Sequence, residues 1–210
     1  GYNQLSLELI DDSYSQTVIR EAGELLNDLP TRSKPGYTFL GWSQNPGGTT
    51  TIGPLYVNTK LYAVYSADYQ DIYLEDLDRI IKRKTDDTVG ALPDSHKDGF
   101  RFDYWTYNGK KVTSYTKVPA GGMTLVPHYT ELNTDPTDTV EVRFWCDGIK
   151  INTIDLIRGN LIHDPGSPAI SIIEPDRHFL YWTTSEGGTE RYEFEQYVDQ
   201  DLDLSAKWSN

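Results

Sequence analysis

Three stretches of this 210-residue chain carry one aromatic signature, and their spacing limits the folds open to it. The first is Gly36-Tyr-Thr-Phe-Leu-Gly-Trp42, followed by Leu61-Tyr-Ala-Val-Tyr65. The second is Gly99-Phe-Arg-Phe-Asp-Tyr-Trp105, followed by Leu125-Val-Pro-His-Tyr129. The third is Asp176-Arg-His-Phe-Leu-Tyr-Trp182, followed by Leu204-Ser-Ala-Lys-Trp208. Trp42, Trp105 and Trp182 are spaced by 63 and 77 residues, and the closing aromatics Tyr65, Tyr129 and Trp208 by 64 and 79. Two landmarks with nearly one period mark an internal repeat. Solenoid units run to roughly 20–45 residues, whereas many chains of about 55–65 residues fold alone. The spacing therefore predicts three small domains in tandem, 1–67, 68–131 and 132–210, each with its own core. The residues expected to define the repeat are Gly36, Tyr37, Phe39, Trp42 and Tyr65; Gly99, Phe102, Trp105 and Tyr129; and Phe179, Trp182 and Trp208.

Local patterns give each repeat its elements. Leu5, Leu7 and Leu9 alternate with polar neighbours as a half-buried strand does, and Gln16–Arg20 returns after a turn. Glu21–Leu29 is the helix-like stretch of the first repeat: Leu25, Leu26 and Leu29 share a face, and Pro30 ends it. Thr85–Leu92 occupies the same place in the second repeat. Gly36 suits a turn with positive φ. In the strand that follows, simple alternation puts Tyr37, Phe39 and Gly41 on one side and Thr38, Leu40 and Trp42 on the other. Arg79–Lys84 lies in a segment read as a strand with a solvated basic face. Asn108-Gly109 and Asp147-Gly148 are two-residue hairpin signals. Leu132–Thr139 reads as a polar linker, and Ala169–Ile173 as an additional apolar element of a longer third repeat.

The signature Gly-Tyr-Thr-Phe-x-Gly-Trp, a glycine-rich loop and Leu-Tyr-Ala-x-Tyr/Trp resembles the Listeria–Bacteroides repeat, also called the internalin B-repeat. The lead-in Leu29-Pro-Thr-Arg-Ser-Lys-Pro-Gly36 is similar to that family too. Tyr104 and Tyr181 stand where the family has glycine, and Asp176 replaces the leading glycine of the third copy. The resemblance implies a mostly β, α+β fold: three tandem β-grasp, ubiquitin-like domains, each a mixed sheet with one short helix. It implies a secreted bacterial cell-surface protein, extracellular and monomeric, acting as a spacer or stalk and in adhesion. A second reading is a specific binding domain for a host surface protein or glycan.

Charge narrows the partners. The net charge of −13 falls mainly on residues 132–210, which hold six Lys/Arg against fifteen Asp/Glu. Such a surface repels polyphosphate and anionic membranes, so nucleic acid is not an expected partner. No run of about 18 apolar residues suggests a membrane span within this segment. The chain opens on Gly1-Tyr-Asn without a secretory signal and reads as a segment of a longer protein. One cysteine, Cys146, rules out an intrachain disulfide framework. His96, His128, His163 and His178 fall at unrelated places in the repeats and match no hydrolase, zinc or phosphate-loop pattern. Asp94-Ser-His96 holds triad residue types, but adjacent loop residues do not place base and nucleophile properly. Asp199-Gln-Asp-Leu-Asp203 offers alternate carboxylates of the kind calcium takes, without the glycine and glutamate of a calcium loop. The expectation is no enzyme, no catalytic residue, no cofactor and no metal site.

Overall fold

A computed structural model describes residues 3–168 and 176–209. The expected Ala169–Ile173 element lies outside the described residues. The first repeat forms strands β1 (Gln4–Asp11), β2 (Tyr14–Glu21), β3 (Tyr37–Ser43) and β4 (Thr59–Ala67). The second forms β5 (Tyr69–Leu74), β6 (Arg79–Lys84), β7 (Phe100–Tyr107), β8 (Lys110–Lys111) and β9 (Met123–Glu131). The third forms β10 (Thr139–Cys146), β11 (Ile149–Ile157), β12 (Asn160–Ile162), β13 (Phe179–Thr183), β14 (Gln196–Val198) and β15 (Leu202–Trp208). Three larger sheets run β2-β1-β4-β3, β6-β5-β9-β7-β8 and β11-β10-β15-β13, and β12 pairs β14 separately.

At the centre of each larger sheet a hairpin strand lies parallel to the closing strand of its repeat. Leu9 faces Leu61, Leu74 faces Leu125, and Phe144 faces Leu204. All six side chains are buried. They anchor three separate cores: Leu5, Leu7, Leu9, Trp42 and Leu61; Ile72, Leu74, Val89, Trp105 and Leu125 with their neighbours; and Val140, Val142, Phe144, Trp182 and Leu204 with theirs. By compactness the chain forms two units, Gly1–Lys97 with Phe102–Tyr129, and Asp98–Arg101 with Thr130–Asn210.

Among the described residues the expected helix of each domain is not there, so the α+β, β-grasp assignment is corrected to an almost purely β architecture. Among the described residues the one helical piece is the 3-10 turn Glu75–Leu77. The stretch from Ala22 to Leu29 is irregular, with Ala22, Leu26 and Leu29 packed on the core. A nine-residue stretch falls short of the length an isolated helix needs, and Gly23, Asn27 and Asp28 are weak helix formers. The backbone pairs elsewhere instead. Gly23 N–H donates to the Leu55 carbonyl (2.8 Å), Asp86 N–H to Val118 (2.9 Å) and Gly159 N–H to Val198 (2.8 Å). In the second repeat Val89 and Gly90 extend this pairing to Thr116 and Ser114, and in the third it becomes the β12–β14 ladder. Each crossover is thus held by extended pairing rather than by its own helical bonds.

The signature strand also departs from simple alternation. The β3–β4 register slips between Phe39 and Gly41, and the β13–β15 register between Phe179 and Tyr181. The skipped residues Leu40 and Leu180 point outward, 53% and 48% exposed. A bulge adds one residue to one strand, so Phe39 and Trp42 come to one face instead of opposite faces. Both hairpin signals fold as expected, with Asn108 and Asp147 at φ 48° and 51° ahead of Gly109 and Gly148. Replacing Leu204 by Ala should cost about 2–5 kcal/mol. Hydrogen exchange should then speed up in β10, β13 and β15 while β1 and β4 keep their protection.

Candidate functional site

Within each repeat the signature residues form one aromatic cluster. Phe39 meets Trp42 at 5.6 Å between ring centroids and Tyr65 at 5.5 Å. Phe102 meets Trp105 at 5.5 Å and Tyr129 at 6.0 Å. Phe179 meets Trp182 at 5.5 Å and Trp208 at 5.8 Å. Most of these contacts are edge-to-face, the favoured geometry for aromatic pairs. Each signature tryptophan is only 4% exposed. Its indole N–H reaches a crossover carbonyl: Trp42 to Pro30 (2.7 Å), Trp105 to Pro93 (2.8 Å) and Trp182 to Gly166 (2.9 Å).

The closing aromatic carries a polar cluster that differs from copy to copy. Tyr65 donates its hydroxyl to Asp11 at 2.7 Å, and Arg32 holds the same carboxylate at 2.9 Å while lying 3.8 Å over the Tyr14 ring. The Tyr129 hydroxyl sits 2.8 Å from the Asp76 carboxylate and 2.7 Å from the buried Ser95 hydroxyl. By strand register Cys146 holds the place of Asp11 and Asp76, and here the closing residue is Trp208. The third repeat thus has a thiol and an indole at the two positions that hold a carboxylate and a phenol in the others, with Cys146 fully buried and its thiol 3.7 Å from the Asp147 carboxylate. Trp208 Nε1 is buried with no hydrogen-bond partner among the described residues. Arg177 lies 5.7 Å from the Trp208 ring and pairs with Asp147 at 2.7 Å. Burial pushes the Asp11 carboxyl up, but hydrogen bonds from Arg32 and Tyr65 outweigh it and hold the group below the usual aspartate range. Burial and the Asp11 hydrogen bond push the Tyr65 hydroxyl up to about 12.

The first and second sheets meet at a very short junction. β4 ends at Ala67 and β5 begins at Tyr69, so only Asp68 separates them. Asp68 N–H donates to the Gly36 carbonyl and Thr85 N–H to the Asp68 carbonyl, both at 2.9 Å. The Thr85 hydroxyl, on a residue 4% exposed, donates to the Gly36 carbonyl at 2.8 Å and accepts from Gln70 at 2.9 Å. Tyr37 donates to Asp86 and Thr38 to Asp68 across the same seam. Gly36 has φ +78°, and a Cβ there would stand 2.6 Å from Thr85 Oγ1 and 2.9 Å from Ala120 Cβ. Gly36 is therefore both the expected turn residue and a contact point for the following repeat. Gly99 has the same φ, +79°, with open space where a Cβ would be.

The other polar candidates serve local structure. Asp201 accepts the Glu141 N–H at 2.9 Å, as Asn58 accepts the Ser6 N–H at 2.8 Å in the first repeat. Asp203 binds Arg143, and Asp199 binds Arg101 at 3.3 Å. Arg143 thus bridges Asp203 and Asp201 (3.6 Å) while Asp199 pairs with Arg101, and the described residues contain no metal-ligating group of three. His128 stacks on Tyr104 at 4.7 Å and lies 3.1 Å from Asp103, and His163 pairs with Glu195 at 2.9 Å. Ser95 of the Asp94-Ser-His96 run serves the Tyr129 hydroxyl.

Three copies of a hairpin, a pinned crossover and a parallel closing strand define a tandem-repeat module. Residues 9–64 match the family model of the Listeria-Bacteroides repeat domain, the family that the signature resembles. That family is one of repeat modules of bacterial surface proteins. No curated protein matches the chain. No helix among the described residues is long and apolar enough to cross a membrane.

Gly36→Ala should destabilise the first unit by more than the roughly 1–2 kcal/mol of left-handed backbone strain expected for Gly99→Ala, as read by urea unfolding. Thr85→Val keeps the shape and leaves the Gly36 carbonyl short of a donor, so a loss of about 1–3 kcal/mol is expected. The Asp11 contribution to stability is present above the ordinary aspartate pKa of about 3.9 and is lost as pH falls through the lower folded value. Asp11→Asn should abolish that acid-side loss. The Tyr65 contribution is present below about pH 10 and is lost as pH rises toward the folded value near 12. The stability gap between wild type and Tyr65→Phe should narrow across that alkaline window.

Proposed function

We propose that this segment is a non-catalytic module of a secreted bacterial surface protein. It acts as a spacer built from three domains, 1–67, 68–131 and 132–210, and contributes to adhesion. The observation that carries this reading is the seam between the first two sheets. One residue separates β4 from β5, and Thr85, Gly36 and Asp68 bond across the join. Relative displacement of neighbouring sheets would break buried hydrogen bonds, and a spacer needs that stiffness. The Asp11–Arg32–Tyr65 cluster is a set of polar groups occupied with fold maintenance. Antibodies against this segment should label intact, unpermeabilised cells of the source bacterium. Labelling only after permeabilisation would remove the surface assignment. Exchanging the segment for a Gly/Ser chain of equal length should lower cell attachment without lowering export, and unchanged attachment would remove the adhesive part.

A further inference from the structure

We infer that the third repeat carries a binding groove for a neutral saccharide, centred on Trp145. The groove stands in one sheet and its turns, so it does not depend on the spacer reading. Of the five tryptophans, four are buried in cores and Trp145 is half-exposed. It lies on β10 between Phe144 and Cys146, both of which face inward, so its ring stands on the outer face of the sheet. A bulge sits at this point: Phe144 faces Asn152 and Trp145 faces Lys150, skipping Ile151. Bulges re-aim side chains and recur beside functional sites. By register, Ile10 is the first repeat's counterpart, facing Tyr62 as Trp145 faces Ser205. The outward indole is therefore peculiar to the third copy.

The indole is held in place. Its N–H donates to Asp203 Oδ1 at 2.8 Å, and Arg143 grips both oxygens of that carboxylate at 2.8 and 3.0 Å. The cross-strand pair Arg143–Asp203 occupies the register of Glu8–Lys60 in the first repeat, with the charges reversed. This exchange puts an acceptor where the tryptophan needs one. Beside the ring lies a hollow of about 310 Å³, lined also by Thr184, Glu186, Asp203 and Ser205. A second hollow of about 250 Å³ shares Gly148, Glu186 and Ser205 with it and continues toward Lys207. The first hollow falls at the lower end of the size range of small-molecule sites.

A pyranose ring offers an apolar C–H face and a rim of hydroxyls. The fixed indole supplies a flat apolar surface for the face, with little ordering cost because its orientation is already set. The Glu186 carboxylate and the Ser205 and Thr184 hydroxyls supply acceptors for the rim. Of the nearby cations, Arg177 is engaged by Asp147, Arg143 by Asp203, and Lys207 with the Gly187 carbonyl at 3.4 Å, while Lys150, across from Trp145, is drawn to the Asp203 carboxylate. With Glu141, Asp201 and Asp203 on the same face, a sulfated or uronate sugar meets net repulsion.

The test titrates the whole chain with cellohexaose, chitohexaose, maltohexaose and mannohexaose, following the indole ¹⁵N–¹H resonances and heats of binding. A heparin hexasaccharide serves as the anionic comparison. At least one neutral hexasaccharide should shift the Trp145 indole resonance and leave those of Trp42, Trp105 and Trp182 in place. Trp145→Ala should weaken that binding at least tenfold, and Glu186→Gln, on an exposed turn that leaves the core intact, severalfold. The inference is overturned if no neutral hexasaccharide moves the Trp145 resonance, if binding survives both substitutions, or if the anionic sugar binds more tightly.

Discussion

A tryptophan indole donating to a crossover carbonyl is the contact on which each repeat depends. Among the described residues, the segment between the hairpin and the signature strand has no helical ladder of its own for its backbone. Buried polar groups left without partners are costly. Trp42, Trp105 and Trp182 meet part of that need while filling the core with their rings. The remaining backbone groups pair with the segment leading into the closing strand, sparingly in the first repeat and as a two-stranded ladder in the third. The bulge before Trp42 and Trp182 completes the device, because it turns Phe and Trp to the same side.

With the crossover pinned, the rim of each core is free to vary. Tyr65 with Asp11, Tyr129 with Asp76, and Trp208 with Cys146 are three solutions at one place. The first two satisfy a half-buried phenol with a carboxylate. The third removes the carboxylate together with the phenol. The solitary cysteine is thereby placed as a buried thiol where the other copies keep a carboxylate. Glu8–Lys60 and Arg143–Asp203 show the same logic on the outer face, where reversing both charges keeps the attraction.

The seam between the first two sheets shows how a repeat can acquire a second role for a turn glycine. Gly36 is needed at positive φ whether or not another repeat follows. Its missing Cβ also lets Thr85 and Ala120 close against it. Gly99 keeps the backbone conformation without that crowding. The seam and the Trp145 groove are thus properties of particular copies, added to a shared frame.

The recurring aromatic pattern, the hairpin turns and the alternating strands β1 and β10 were all legible in the residues. These features arise from local chemistry: side-chain alternation, glycine at positive φ and the spacing of large aromatics. Glu21–Leu29 forms no helix because three leucines on one helical face also suit an irregular segment laid on a sheet, and only the partners at Leu55 and Pro30 separate the two. Nor does the chain's own order reveal the bulge at Leu40, the Thr85 seam or the polar surroundings of Trp145. Each requires residues distant in sequence to meet at hydrogen-bonding distance. Amino-acid order therefore determined that one aromatic signature recurs three times and which aromatics gather in each cluster. Tertiary structure alone decided how each crossover is held and which copies gained contacts of their own, because those outcomes rest on long-range backbone pairing that no local pattern encodes.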